Sequence, residues 1–193
     1  MYWCKSFKQF LFITTCLSGL AACRPDVHVS TGNKRYFDLK AFINADSARL
    51  RKAQPAVNKT VTHNNSQTQT KRIVIKNWGQ ELALFAASDI NKPAWRDSYR
   101  IDEQGDSVVY TALLPELFTR RISIRRINGK VTKINISNAT KNLLYKTTEH
   151  LTYYPDSLYV IDKEQQVKLM GSNRYVISGV IAPPQPSPGV REF

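Results

Sequence analysis

Three histidines, His28, His63 and His150, are the only imidazoles in the 193-residue chain, and their spacing offers no chemistry by itself. There is no His-x-x-x-His, no His-Glu-x-x-His and no cysteine cluster, the spacings that present metal ligands together. The glycines form neither a phosphate-cradling loop nor a Gly-x-Ser-x-Gly nucleophile elbow. Asp102, Glu103 and Asp106 gather around a turn, but the alternating oxygen ligands of a calcium loop are missing. The sequence thus names no catalytic residue, metal ligand or cofactor, and the chain reads as a non-enzyme. Only the fold could assemble an acid and base pair.

One thiol has an informative context. Lys5 and Lys8 form a basic start, Phe10 to Ala22 a short apolar run, and Cys23 follows directly. That run is too short to cross a bilayer, which takes about 20 apolar residues. The stretch Leu20-Ala21-Ala22-Cys23 resembles the lipobox of bacterial lipoproteins. The resemblance implies a diacylglyceryl group on the Cys23 thiol, removal of residues 1–22 as a signal peptide, and a palmitate-type acyl group on the new amine. Several acyl chains, each methylene contributing about 0.8 kcal/mol, make a durable membrane anchor. The other reading is an ordinary secretory signal followed by a coincidental cysteine. Cys4 and Cys16 would leave with the signal, so the mature domain has neither disulfide nor free thiolate chemistry. Four Asn-X-Ser/Thr triplets, starting at Asn58, Asn64, Asn135 and Asn138, then reflect only an Asn- and Thr-rich surface.

The charge, net +13, would lose Lys5 and Lys8 with the signal and stay strongly positive. A lipid-anchored envelope protein does not meet a chromosome, so nucleic acid is excluded as a partner. Anionic phospholipid, lipopolysaccharide, acidic glycan and other envelope proteins remain. Between Glu116 and Glu149 there are eight bases and no acid. Arg121, Arg125 and Lys133 are the candidates there for an anion-binding or membrane-surface face. The competing reading is a solvated sheet face.

The elements that position these groups follow from hydrophobic period. Residues 23–34 are polar, with the Thr31-Gly32-Asn33 turn signal, and read as a tether. Tyr36, Leu39, Ile43 and Leu50 share one helical face, predicting a helix from Tyr36 to Ala53 with Asp46 interrupting the stripe. Asn77 and Gln80 form a capping-box-like start for a second helix, striped by Trp78, Leu82 and Phe85 and ending near Ile90 before Pro93. The rest reads as strand: 58–63 with 68–76, 98–102 with 107–112, 121–127 with 130–137, then 143–154, 158–162, 166–170 and 174–181. For the Asn128-Gly129 hairpin, a three-residue loop pairing Arg126 with Lys130 sets Ile122 opposite Ile134, leaving Val131 as an apolar exception among the outward Arg121, Arg125 and Lys133. The Pro-rich tail 182–193 cannot join a sheet.

The expected fold is α+β: one domain over 35–181, a curved antiparallel sheet of about ten strands with two amphipathic helices on its concave face. The late tyrosines, Tyr145, Tyr153, Tyr154, Tyr159 and Tyr175, either line a pocket there or are half-buried strand formers. Tyr36-Phe37-Asp38-Leu39-Lys40, and Asn77 to Phe85 running into Ser88 to Trp95, resemble lipoproteins of Bacteroidota-type bacteria that have no assigned activity. Helices against a long antiparallel sheet are similar to half-barrel lipoprotein carriers, which implies lipid or apolar-ligand binding as the alternative to a structural or assembly role. Surface export in such bacteria goes with an acidic run after the cysteine. Arg24-Pro25-Asp26-Val27 holds one acid, which implies the outer membrane, facing the periplasm.

Overall fold

The computed structural model describes residues 34–64 and 67–181. Cys23, the signal, most of the tether and the tail lie outside them. The domain is α+β, built on one nine-stranded antiparallel sheet that does not close. Its strands are β1 Ala56–His63, β2 Gln67–Val74, β3 Tyr99–Gln104, β4 Ser107–Ala112, β5 Thr119–Ile127, β6 Lys130–Lys141, β7 Tyr145–Tyr154, β8 Leu158–Val167 and β9 Gly171–Ile181. The order is β2-β1-β9-β8-β7-β6-β5-β4-β3, so β3 through β9 form a simple meander and the β1–β2 hairpin adds to its last strand.

The helical layer is smaller than the sequence predicts. Helix α1, Leu39–Ala53, starts after Asp38, whose carboxylate accepts the Ala41 N–H. Tyr36 therefore precedes the helix; its ring packs edge-on against Tyr99 and Tyr110, and its hydroxyl donates to the Arg96 carbonyl at 2.5 Å. The second expected helix is broken at Leu82 into α2, Trp78–Glu81, and α3, Ala83–Ala87, and stops short of Ile90. Its start is as predicted: Asn77 accepts the Gln80 N–H at 3.0 Å and donates to the Gln80 side chain at 3.4 Å. The expected stripe holds across the break, since Trp78, Leu82 and Phe85 are all fully buried.

Two strand expectations need correction. A single β8 replaces the two strands expected at 158–162 and 166–170, which accounts for nine strands rather than ten. Lys163 and Glu164 do not break it, because Lys163 is neutralised by Glu149 on the neighbouring strand and Glu164 accepts from Ser172. The Asn128-Gly129 hairpin has the two-residue loop after all. Ile127 pairs with Lys130, both loop residues take positive φ, and a bulge beyond Arg126 then realigns the strands. Ile124 faces Ile134, Ile122 faces Ile136, and Val131 joins the buried core instead of the outer face. Turn chemistry and hydrophobic pairing are both satisfied, at the expense of one unpaired residue, Thr132.

The core lies between helices and sheet, where Trp78, Leu82 and Phe85 meet Ile122, Ile124, Ile134, Ile136, Leu151, Tyr153 and Tyr159. Tyr159 lies across Gly179 of β9: a β-carbon there would sit 2.1 Å from the Tyr159 ring. Because Tyr159 is fully buried and meets Trp78 edge-on, it cannot swing away. Gly179→Ala is expected to cost about 1–3 kcal/mol by overpacking. Thermal unfolding should show it as a lower midpoint, whereas Ser178→Ala, on the other face, leaves the midpoint nearly unchanged.

Candidate functional site

A groove of about 670 Å³ lies where α2 and α3 overhang β1, β2, β8 and β9. Ile73, Ile161, Ile177 and Leu84 supply apolar walls, and Lys59, Lys76, Lys163, Glu81 and Tyr175 supply polar ones. Strand alternation puts Lys59, Lys163, Ile161 and Ile177 on the helix-facing side, and the Asn77 cap fixes where Glu81 falls.

Each of the two inward lysines meets a carboxylate. Lys59 Nζ lies 2.6 Å from Glu81 Oε1, which also accepts the Tyr159 hydroxyl at 2.6 Å. Burial first, and then the Glu81 carboxylate, push the Tyr159 phenol far above its ordinary range. It is a donor at every physiological pH, not a general acid. Lys163 Nζ lies 2.9 Å from Glu149, which is only 3 % exposed. From Glu149 a buried chain continues inward: Asn138 Nδ2 donates to Glu149 and to the Ser88 hydroxyl, Ser88 donates to the Leu84 carbonyl, and Thr119 to the Ser88 carbonyl. These links tie the end of α3 to β5, β6, β7 and β8. They are structural hydrogen bonds, with Asn138 Oδ1 alone among these groups left without a partner, and Lys163 is held at their outer end.

A third network joins α1 to the sheet. The Tyr153 hydroxyl donates to Asp46, Arg49 bridges Asp46 and Asp156 at 2.5 Å each, and burial foremost, then Asp46, drive the Tyr153 phenol upward. Asp46 thus belongs to the inward stripe that it was expected to interrupt.

The fold also assembles a group that sequence reasoning missed. Ser137, His150 and Asp162 stand side by side across β6, β7 and β8 on the helix-free face. Ser137 Oγ is 3.3 Å from His150 Nδ1. Both Asp162 oxygens, however, accept from Arg174, at 2.8 and 2.6 Å, and that guanidinium holds the carboxyl below its usual range. The carboxylate that would orient the imidazole is engaged elsewhere, and His150 is exposed to water. Only strand register could have revealed this row, since 25 residues of sequence hold no local motif for it.

The sequence-predicted anion residues lie on that same outer face. Arg121 and Arg125 are exposed, Arg125 pairs with Lys133 across the strands, and the Lys133 ammonium sits 5.1 Å over the Tyr154 ring. His63 is far from His150, stacked on Tyr175 and bonded to Asn173. Among the described residues no three His, Cys, Asp or Glu side chains gather as a metal site, and no helix is long and apolar enough to cross a membrane. Compared with family models, characterised proteins and solved structures, the chain matches none.

The Tyr159 hydroxyl gives a test of these networks. Tyr159→Phe should cost about 1.5–3 kcal/mol near neutral pH, the range for a hydrogen bond to a charged group. A raised phenol contributes stability that is complete below its unfolded pKa of about 10 and is lost as pH rises beyond it. The difference in denaturant midpoint between wild type and Tyr159→Phe should therefore be constant from neutral pH upward and shrink above pH ~10.

Proposed function

We propose that this chain is a bacterial envelope lipoprotein, anchored through Cys23, whose domain has a structural or assembly role exercised through its surfaces. The supporting observation is the filled interface between helices and sheet. Trp78, Leu82 and Phe85 occupy the face where a carrier would keep its cavity, against Tyr153 and Tyr159, whose hydroxyls are bound to helix carboxylates. A sheet with two open edges backs that core, and the reading as a non-enzyme is supported by Asp46, Glu81 and Glu149 being engaged in ion pairs. The outer membrane, facing the periplasm, is the compartment that fits the sequence after Cys23, and the likeness to Bacteroidota-type lipoproteins belongs to the same proposal. Arg121, Arg125 and Lys133 give the helix-free face an affinity for anionic glycan or for acidic surfaces of envelope proteins.

The anchor is read directly by metabolic labelling with a fatty-acid probe. Wild type should be labelled and recovered with membranes, and Cys23→Ser should not be labelled; equal labelling of both would remove the anchor. A second reading, lipid or apolar-ligand binding, is favoured by the groove above Ile73, Ile161 and Ile177 with ammonium groups at its rim. Native mass spectrometry of the detergent-extracted protein should show the bare chain mass plus acylation. A further adduct, lost on Ile161→Glu, would favour the binding reading.

A further inference from the structure

The strand connections β4–β5, β6–β7 and β8–β9 all lie at one end of the sheet. At that end the β6–β7 turn presents Leu143 and Leu144, 86 % and 70 % exposed, and the β8–β9 turn presents Leu169 and Met170, fully and 85 % exposed. Scattered single apolar residues on a surface need no explanation, but four on two adjoining turns form a patch. The turns are ordered into one tip. The Lys168 N–H donates to the Leu144 carbonyl at 2.9 Å, Asn142 accepts from the Leu144 and Tyr145 N–H groups, and Tyr145 pairs with Val167. Leu169 holds φ 73, a left-handed conformation that glycine or asparagine adopts far more readily. A strained, fully exposed leucine is poorly explained by folding stability, and strain of this kind concentrates at working surfaces.

The same tip is basic. Lys141 and Lys146 face each other across β6 and β7, a like-charge pairing that is unfavourable without an anion, and Lys168 flanks Leu169. Neither 139–148 nor 165–174 contains an acid, and none of the ion pairs among the described residues involves these three lysines. Protruding aliphatic side chains ringed by ammonium groups match a leaflet whose acyl region lies just beneath anionic head groups. The β4–β5 connection adds exposed Leu113 and Leu114 at the same end.

We propose that this tip docks on an anionic lipid leaflet, with Leu143, Leu144, Leu169 and Met170 entering the acyl boundary and Lys141, Lys146 and Lys168 engaging head-group phosphates. This contact is additional to acylation at Cys23 and orients the domain on the membrane.

The test uses the full chain with vesicles of phosphatidylcholine and phosphatidylglycerol carrying brominated acyl chains. Leu169→Trp and Leu144→Trp should add indole emission that shifts blue and is quenched about twofold or more, consistent with side chains at the depth of interfacial insertion. Ile127→Trp, at the opposite end of the sheet, should add emission that is not quenched. In the Leu169→Trp background, Lys141→Glu with Lys146→Glu and Lys168→Glu should abolish quenching, and raising salt from about 0.1 M to about 1 M should weaken it. Arg121→Glu with Arg125→Glu should not. A chain that stays in solution overturns the proposal, as does one held on vesicles with the tip indoles no more quenched than that of Ile127→Trp. An indole already blue-shifted before lipid is added overturns it in favour of a second copy covering the tip. Acylation is read separately by the fatty-acid label, so loss of the anchor and loss of docking are distinguishable.

Discussion

Tyr153 and Tyr159 are direct neighbours across β7 and β8, and each donates its hydroxyl to a carboxylate of the helical layer, Asp46 on α1 and Glu81 on α2. This pair of bonds at the centre of the sheet fixes where the helices sit. Short helices such as α2 and α3 have little stability of their own and depend on tertiary contacts. The large rings bury area while the hydroxyls supply direction, which leucines at the same positions would not do. The arrangement also requires Gly179 in the next strand, since any side chain there would occupy the space of the Tyr159 ring. One glycine, two tyrosines and two acids therefore couple the layers of the domain.

This design uses acids inside and leaves bases outside. Asp46, Glu81 and Glu149 all point to the helix–sheet interface or its rim and meet Arg49, Lys59 and Lys163 there. Buried carboxylates need partners, so part of the small acidic complement is consumed internally. The strongly positive balance of the chain is consequently expressed on the outer face, around Arg121 and Arg125, and at the loop end around Lys141 and Lys168. Net charge in such a molecule says little about the fold and much about the sign of what it can touch.

The sequence made the α+β class, the Asn77 cap and the inward stripe of Trp78, Leu82 and Phe85 readable, because each is a local signal of period or capping. Errors arose where local and tertiary signals compete. Lys163-Glu164 looks like a strand break until Glu149 appears on the neighbouring strand. Asp46 looks like a flaw in an amphipathic stripe until Tyr153 reaches it from 107 residues away. At Asn128-Gly129 one regular ladder predicts a three-residue loop, while the structure keeps the tight turn and shifts the ladder by a bulge. The groove, the Ser137–His150–Asp162 row and the apolar tip were invisible for the same reason: strand register brings together residues that sequence keeps far apart.

An open sheet has two edges that can recruit other chains, and here both are guarded. β2 presents Gln69, Lys71 and Arg72 among threonines, and β3 carries Arg100, Asp102 and Glu103 in six residues. Charged, short edge strands oppose edge-to-edge pairing. The same chain that blunts its edges leaves Leu143, Leu144, Leu169 and Met170 uncovered at the loop end, in turns that carry lysines. Selection against aggregation would remove such residues from turns first, because polar substitutes there disturb no core contact. Their presence on a surface otherwise built to stay apart is the feature that the proposed docking on a lipid leaflet accounts for, with the lysines matching the charge of its boundary.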